Sequence, residues 1–312
     1  MPMRLRLAAA AMLPLLALAA CGTSGSSAAP DAGPTRTVKH AMGETKVPAA
    51  PRRVVVLDTD KLDSMVSLGT APVGAAQAQQ NQKWPAYLGS ALSATKAVGT
   101  TQAPNLEAIM ALKPDLILGS KFRQEAFYDK LSKIAPTVFT EKVGITWKEN
   151  FLLDAEALGK KDQAAKLLAA YEGRAKEVGA KFTGIKVSIV RFMPTEIRMY
   201  GPESFSGIVV GDAGIPRPEV QRLAAQADKR FGKLSQENIA QADGDALFYS
   251  AYGEAAAKAQ AEVTGGPLWK NLGAVQSGHA HNVDDEVWMT GIGVTAAGRI
   301  LDDLAKYLTP LA

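Results

Sequence analysis

One stretch near the middle of the chain restricts the folds open to it. Residues 161–182, KDQAAKLLAAYEGRAKEVGAKF, set Ala164, Leu167, Leu168, Tyr171, Ala175, Val178 and Phe182 at helical spacing, with Lys166, Glu172, Arg174 and Lys176 off that stripe. Gly159 closes the helical stretch before it, and Asp162 suits the positive end of a helix dipole. At about 1.5 Å per residue such a helix spans roughly 30 Å, the width of a small domain. It is expected to join two similar lobes, with function in the cleft between them.

The sequence on either side supports this. Residues 53–58 form a short apolar run ending in Asp58, and residues 116–118 and 137–139 repeat the pattern. Helical stretches lie between them at 61–68, 105–112, 125–134 and 147–158. After the long helix come strands at 186–192, 197–200, 246–249 and near 281–283, helices at 205–211 and 236–242, and a closing helix at 295–308. Short apolar strands alternating with helices imply parallel sheets covered on both faces. The predicted class is α/β, with two lobes of mainly parallel sheet joined by one long α-helix.

An internal echo supports the pairing of lobes. Residues 105–120 read NLEAIMALKPDLILGS and residues 235–250 read SQENIAQADGDALFYS, at an offset of 130. Without gaps, Glu107 meets Glu237, Ile109 meets Ile239, Asp115 meets Asp245 and Ser120 meets Ser250. Both read as capped helix, tight turn, Asp, buried strand and Ser, which is evidence of one topology used twice.

The N-terminus stands apart. Arg4 and Arg6 precede an Ala/Leu/Met run, which reads as a secretory signal over residues 1–20. Leu18-Ala19-Ala20-Cys21 resembles a lipobox, in which the Cys21 thiol takes a lipid, and a Gly/Ser/Ala/Pro tether follows over residues 21–36. Residues 37–160 are then the N-terminal α/β lobe, 161–182 the interlobe helix and 183–312 the C-terminal α/β lobe. Cys21 is the only cysteine, which excludes an internal disulfide and a cysteine nucleophile in the fold. The formal charge of +4 also changes on cleavage. Residues 1–20 hold two Arg and no acid, so the 35 Lys and Arg fall to 33 against 31 Asp and Glu. That balance gives no argument for nucleic acid.

Ligands of open α/β sheets bind beyond the carboxyl ends of the strands. Lys121 and Arg123 follow one such end; Trp84 and Tyr87 lie in an earlier loop, and Trp147 opens the helix after residues 137–139. In the second half Arg191 and Arg198 occupy the strands, and Tyr249 and Tyr252 the end of the echo strand. Arginine presents a planar fork for anionic oxygen, and aromatics give rigid contact area with a polar edge. Together they suit a sizeable, oxygen-rich anionic ligand. Arg191 and Arg198 read equally as structural arginines paired with acids, and Trp147 equally as core. Enzyme signatures are weak. Ser93-Ala94-Thr95-Lys96 matches S-x-x-K, but no S-D-N or K-T-G triplet follows, and neither G-x-S-x-G, Walker A nor H-E-x-x-H occurs. His279 and His281 form H-x-H on an expected edge strand, and the third His, His40, is remote in sequence, so no metal site is assigned.

Several stretches carry a family resemblance: PNLEAIMALKPDLILGS at 104–120, LSKIAPTV at 131–138, TWKENF at 146–151, VRF at 190–192 with IRMYG at 197–201, SFSGIVVGDAGIPRP at 204–218 and VDDEVW at 283–288. In order and spacing the chain resembles the iron–siderophore substrate-binding lipoproteins of bacterial ABC importers, with a class III periplasmic-binding-protein fold. The resemblance implies no catalysis and no cofactor. It implies a ferric siderophore of hydroxamate or citrate–hydroxamate type, with iron held by siderophore oxygens. It further implies a monomer, lipid-anchored on the extracytoplasmic face of the cell membrane, and a permease partner docked through one acid on each lobe. Lys121, Arg123, Arg191 and Arg198 fall at its cationic ligand positions, and Glu107 at the first docking acid. At the second the chain departs, with Gly211 in place of the acid and Asp212 beside it; Glu203 is the other candidate. The same fold binding haem, a corrinoid or a metal is the alternative. A lipid-anchored serine hydrolase of the penicillin-recognising kind is the alternative from another class.

Overall fold

The computed structural model describes residues 33–80 and 82–312. The signal segment, Cys21 and most of the tether lie outside the described residues. The predicted tether ends too late, because Thr35 already begins β1 (Thr35–His40), which pairs antiparallel with β2 (Gly43–Pro48). Val38 and Val47 of this pair are fully buried in the first lobe's core, which gives the ribbon a place to dock. His40 ends β1 of this ribbon. Its Nδ1 accepts from the backbone N–H of Met42 and of Phe139, each at 3.3 Å.

The first lobe holds β3 (Val54–Val56), β4 (Gly74–Gln77), β5 (Lys96–Thr100), β6 (Leu116–Ser120) and β7 (Thr137–Thr140) in the order β5-β4-β3-β6-β7, all parallel. The second holds β8 (Val187–Phe192), β9 (Ile197–Tyr200), β10 (Phe231–Leu234), β11 (Ala246–Ala251) and β12 (Ala280–Asn282) in the order β10-β9-β8-β11-β12. The two orders are the same permutation. The difference is β9, antiparallel to both neighbours. A four-residue turn closed by Met193 N–H to the Glu196 carbonyl joins it to β8, too short for a crossover.

The echo is structural. Asp115 accepts from the backbone N–H of Arg52 and Arg53 at 2.8 and 2.9 Å, and Asp245 accepts from that of Lys186 at 2.7 Å. Each carboxylate anchors the chain as it enters the neighbouring strand, β3 or β8. The capped helix survives only in the first copy, where Asn105 accepts from Ala108 N–H ahead of Leu106–Ala111. The second copy is a short 3-10 turn, Ile239–Ala242, rather than the helix expected at 236–242. Val275 lies in the helical turn Gly273–Gln276, ahead of the edge strand β12.

The interlobe helix runs Lys161–Gly179, three residues short of the prediction. Ala164 packs into the first core, while Tyr171, Ala175, Val178 and Phe182 pack into the second. Gly179 is required there, since a Cβ at that position would fall on the Ala213 carbonyl. Trp147, on the helix Trp147–Leu158 of the first lobe, enters the second core and meets Tyr171 and Phe205 edge-on at 5.2 and 5.6 Å. A second junction is polar. Asp63 of the first lobe accepts from the backbone N–H of Thr295 and Ala296, both at 2.9 Å, and so caps the closing helix Val294–Leu308. Tyr87 donates its hydroxyl to the same carboxylate.

A buried charge cluster lies between the helices Thr59–Ser67 and Trp147–Leu158. Lys61 is fully buried and donates to Asp60 at 2.9 Å, with Asp154 at 3.3 Å. Two carboxylates against one ammonium leave a surplus negative charge away from water. One oxygen of each, Oδ1 of Asp60 and of Asp154, has no partner. Burial is the largest cause that pushes the Asp154 carboxyl up to about 7, opposed by Lys61. The folded state therefore holds a proton that the unfolded chain, with an ordinary carboxyl near pH 4, does not. The associated stability is full below that pH and is lost as pH rises through about 7. Unfolding free energy is expected to fall by about 2 to 3 kcal/mol between pH 5 and pH 8 from this group. Denaturant titrations at both pH values measure it. In Asp154→Asn, which leaves Lys61 and Asp60 balanced, this part of the slope disappears.

Candidate functional site

Segments beyond the carboxyl ends of the first sheet meet loops of the second lobe across a cleft. Phe122, just beyond β6, lies 5.9 Å below the Arg230 guanidinium that precedes β10. Gln79, beyond β4, reaches Gly253, beyond β11. Glu286 of the second lobe accepts from the Gln82 side-chain amide and the Ala86 N–H of the first, each at 3.1 Å. Within this cleft is a cavity of about 260 Å³, lined by Phe122, Lys142 and Ile145 from the first lobe and Glu203, Asp228 and Arg230 from the second.

Two matched half-sites stand at the strand ends. In the first, the last residue of β6, Ser120, donates its hydroxyl to Asp58 at 2.9 Å, and Arg123 pairs with the same carboxylate. Asp58 also accepts from Thr59 N–H, so it caps the helix Thr59–Ser67. Burial raises its pKa, with Arg123 as the main counterweight. In the second, the echo residue Ser250 donates to Asp285 at 2.9 Å. The Arg191 fork grips that carboxylate through Nε and Nη2 at 2.7 and 2.5 Å. Arg191 Nη1 donates to the Tyr200 hydroxyl, and its guanidinium lies 4.6 Å from the centre of the Tyr252 ring. Burial opposes the Arg191 charge, but Tyr200 and Asp285 outweigh it and hold the pKa above the ordinary range. The echo matches only the serines, which occupy equivalent places on β6 and β11; Asp58 and Arg123 follow β3 and β6, whereas Arg191 lies on β8 and Asp285 follows β12.

The other residues singled out in the sequence fall less evenly. Lys121 reaches Glu141 at 3.4 Å near the cleft rim. Arg198 pairs with Glu196 and lies 4.1 Å from the Phe231 ring centre. Trp84 is half-buried against the first core. Tyr87 is spent on Asp63 at the lobe junction. Trp147 is 2 % exposed and has no face to offer a ligand, a correction that follows from its insertion between Tyr171 and Phe205. Tyr249 is also turned away. Alternation along β11 puts Ser250 on the Arg191 side and Tyr249 on the other, where it packs on Trp269 at 5.0 Å. Asp212 is occupied at the interlobe helix, accepting from Lys148 at 2.9 Å and the Tyr171 hydroxyl at 2.8 Å. That engagement removes it as a free docking acid. Glu203 faces the cavity and accepts from Lys229 N–H. Glu107 is exposed in the first turn of its helix. His281 stacks on Tyr307 at 4.2 Å.

Sequence reasoning did not single out Asp285, Tyr200, Lys142, Asp228 or Arg230. Asp58 was visible as the acid ending the first strand, but its partner Arg123 lies 65 positions away.

Residues 54–287 match the family described as periplasmic binding protein. Probable siderophore-binding lipoprotein YfiY of Bacillus subtilis is 41% identical over 309 residues, 95% of each chain. Fe(3+)-citrate-binding protein YfmC of the same organism is 30% identical over 291 residues, 91% of this chain and 88% of that protein. The crystal structure of Staphylococcus aureus SirA complexed with staphyloferrin B superposes with a TM-score of 0.78 at 34% identity, covering 88% of this chain and 98% of that one.

Proposed function

The chain belongs to the periplasmic binding protein family, and from that premise we propose that it captures a ferric siderophore in the interlobe cleft and delivers it to an ABC permease. The observation that carries this reading is the pair of matched half-sites, Ser120–Asp58–Arg123 and Ser250–Asp285–Arg191, on either side of one cleft. Their arginines retain N–H donors for the oxygens of a chelate, and Phe122, Phe231 and Tyr252 supply apolar area for its backbone. Among the described residues no three His, Cys, Asp or Glu side chains gather into a metal-ligand set, so in this reading siderophore oxygens hold Fe³⁺. A hydroxamate or citrate–hydroxamate chelate is the favoured class, and the protein acts as a binding protein without catalysis. Cys21 carries the lipid that anchors the mature chain on the extracytoplasmic face. Tryptophan fluorescence titration with ferric hydroxamate siderophores, haem and cobalamin tests the ligand class. Saturable quenching by ferric siderophores alone is expected; quenching by haem or cobalamin alone would sink it.

Permease docking is assigned to Glu107 and to its echo, Glu237, in place of Asp212. Both are exposed and match in the 130-residue echo, Glu107 in the first turn of its helix and Glu237 just ahead of the 3-10 turn Ile239–Ala242. A backbone N–H and the Ser235 hydroxyl hold the Glu237 carboxyl below its usual range, so it stays charged. Replacing both glutamates with alanine is expected to reduce siderophore-dependent iron uptake roughly tenfold or more while ligand affinity stays at the wild-type value. Undiminished uptake in cells relying on the double variant would remove this assignment.

A further inference from the structure

We propose that the cleft selects ferric chelates of low net charge, because its arginines are already neutralised by built-in carboxylates, of which Asp58, Asp285, Glu196 and Asp228 determine specificity. The proposal rests on the ferric-siderophore reading and narrows it. Arg123 pairs with Asp58, Arg191 with Asp285, Arg198 with Glu196 and Arg230 with Asp228. Glu196 takes Lys233 as well, at 2.8 Å, and Lys121 has Glu141. Among the charged residues lining the cavity, Lys142 and Arg230 are balanced by Glu203 and Asp228.

Two of these carboxylates are fixed in place. Asp58 is fully buried and held by the Ser120 hydroxyl and Thr59 N–H; Asp285 is held by Ser250 and a two-pronged contact from Arg191. A polyanion that drew Arg123 away would strand the fully buried Asp58 carboxylate, which is strongly unfavourable, whereas Asp285, 15 % exposed and held by Ser250 as well, would lose less if Arg191 were drawn off. The arginines therefore serve as oriented hydrogen-bond donors within neutral pairs rather than as free positive charge. Such a surface suits the oxygens of a neutral ferric tris-hydroxamate or a singly charged citrate–dihydroxamate chelate. A triply charged chelate meets the field of the carboxylates with little net positive charge to offset it.

The test uses two probes with the same iron-binding groups. One is a singly charged ferric citrate–dihydroxamate chelate, and the other is its analogue with two further peripheral carboxylates. Wild-type protein is expected to bind the first roughly tenfold more tightly or better. In Asp285→Asn and in Asp228→Asn this preference should shrink by about threefold, as one negative charge leaves the cleft. Asp228 is half-exposed, so its variant keeps the measurement available if Asp285→Asn does not fold. A merely structural role for the carboxylates weakens both probes equally and leaves the ratio unchanged, which overturns the proposal. So does a wild-type protein that binds the more anionic probe as well as the other. Failure to bind either probe overturns the ferric-siderophore reading, and this narrowing with it.

Discussion

Replacing Arg191 and Arg198 together with alanine is expected to weaken ferric-siderophore binding by more than about tenfold while the protein still folds. Arg191 is the better anchored of the two. Its side chain is only 8 % exposed, held by Asp285 and Tyr200 and laid over Tyr252, so its remaining donors are aimed before the ligand arrives. Arg198 lies over Phe231 with Glu196 at its side. A hydrogen bond from a charged donor contributes about 1.5 to 3 kcal/mol, so losing one to each arginine exceeds the roughly 1.4 kcal/mol that corresponds to a factor of ten. The structural cost is smaller. Asp285 keeps the Ser250 hydroxyl and some solvent contact, and Glu196 keeps Lys233. Fluorescence titration gives the affinity and thermal melting the fold. Affinity within about twofold of wild type would mean that the ligand lies elsewhere.

Trp147→Ala is expected to lower the unfolding free energy by about 3 to 5 kcal/mol. The side chain leaves the first lobe and fills a space bounded by Tyr171 of the interlobe helix and Phe205 of the second lobe. Its removal therefore opens a cavity at the seam that couples the lobes. Its indole N–H has no partner, so Trp147→Phe loses packing volume but no hydrogen bond, and costs about 1 to 2 kcal/mol. Urea denaturation measures both. Trp147→Phe also separates two roles for this residue. Ligand affinity should be unchanged if it is core; a severalfold loss would return it to the cleft. A Trp147→Ala protein within about 1 kcal/mol of wild type would refute the seam.

Much of the architecture was legible because it rests on short-range pattern. The stripe Ala164, Tyr171, Ala175 and Val178 has one period, and a helix buries those positions wherever it lies. The echo of Asp115 and Asp245 was legible for a similar reason, since a carboxylate in a tight turn before a buried strand meets the same backbone in both lobes. Elements that bury few side chains were missed. The ribbon β1–β2 offers only Val38 and Val47, and Gly253–Gly265 has Ala256 as its one fully buried side chain, too little for a pattern to register.

By itself the sequence determined the two-lobe α/β class, the long helix and the set of strand ends at which a ligand site must lie. Those are consequences of local periodicity and of repetition along the chain. Only the tertiary structure decided which polar and aromatic side chains share that cleft. Asp58 and Arg123, or Arg191 and Asp285, are distant in sequence and meet only once the sheets assemble. Trp147, Tyr249 and Asp212 were equally plausible ligand or docking residues until packing turned each toward a core, the far face of a sheet or the helix that joins the lobes. A side chain's chemistry is a property of its residue, but what it faces depends on the elements packed around it.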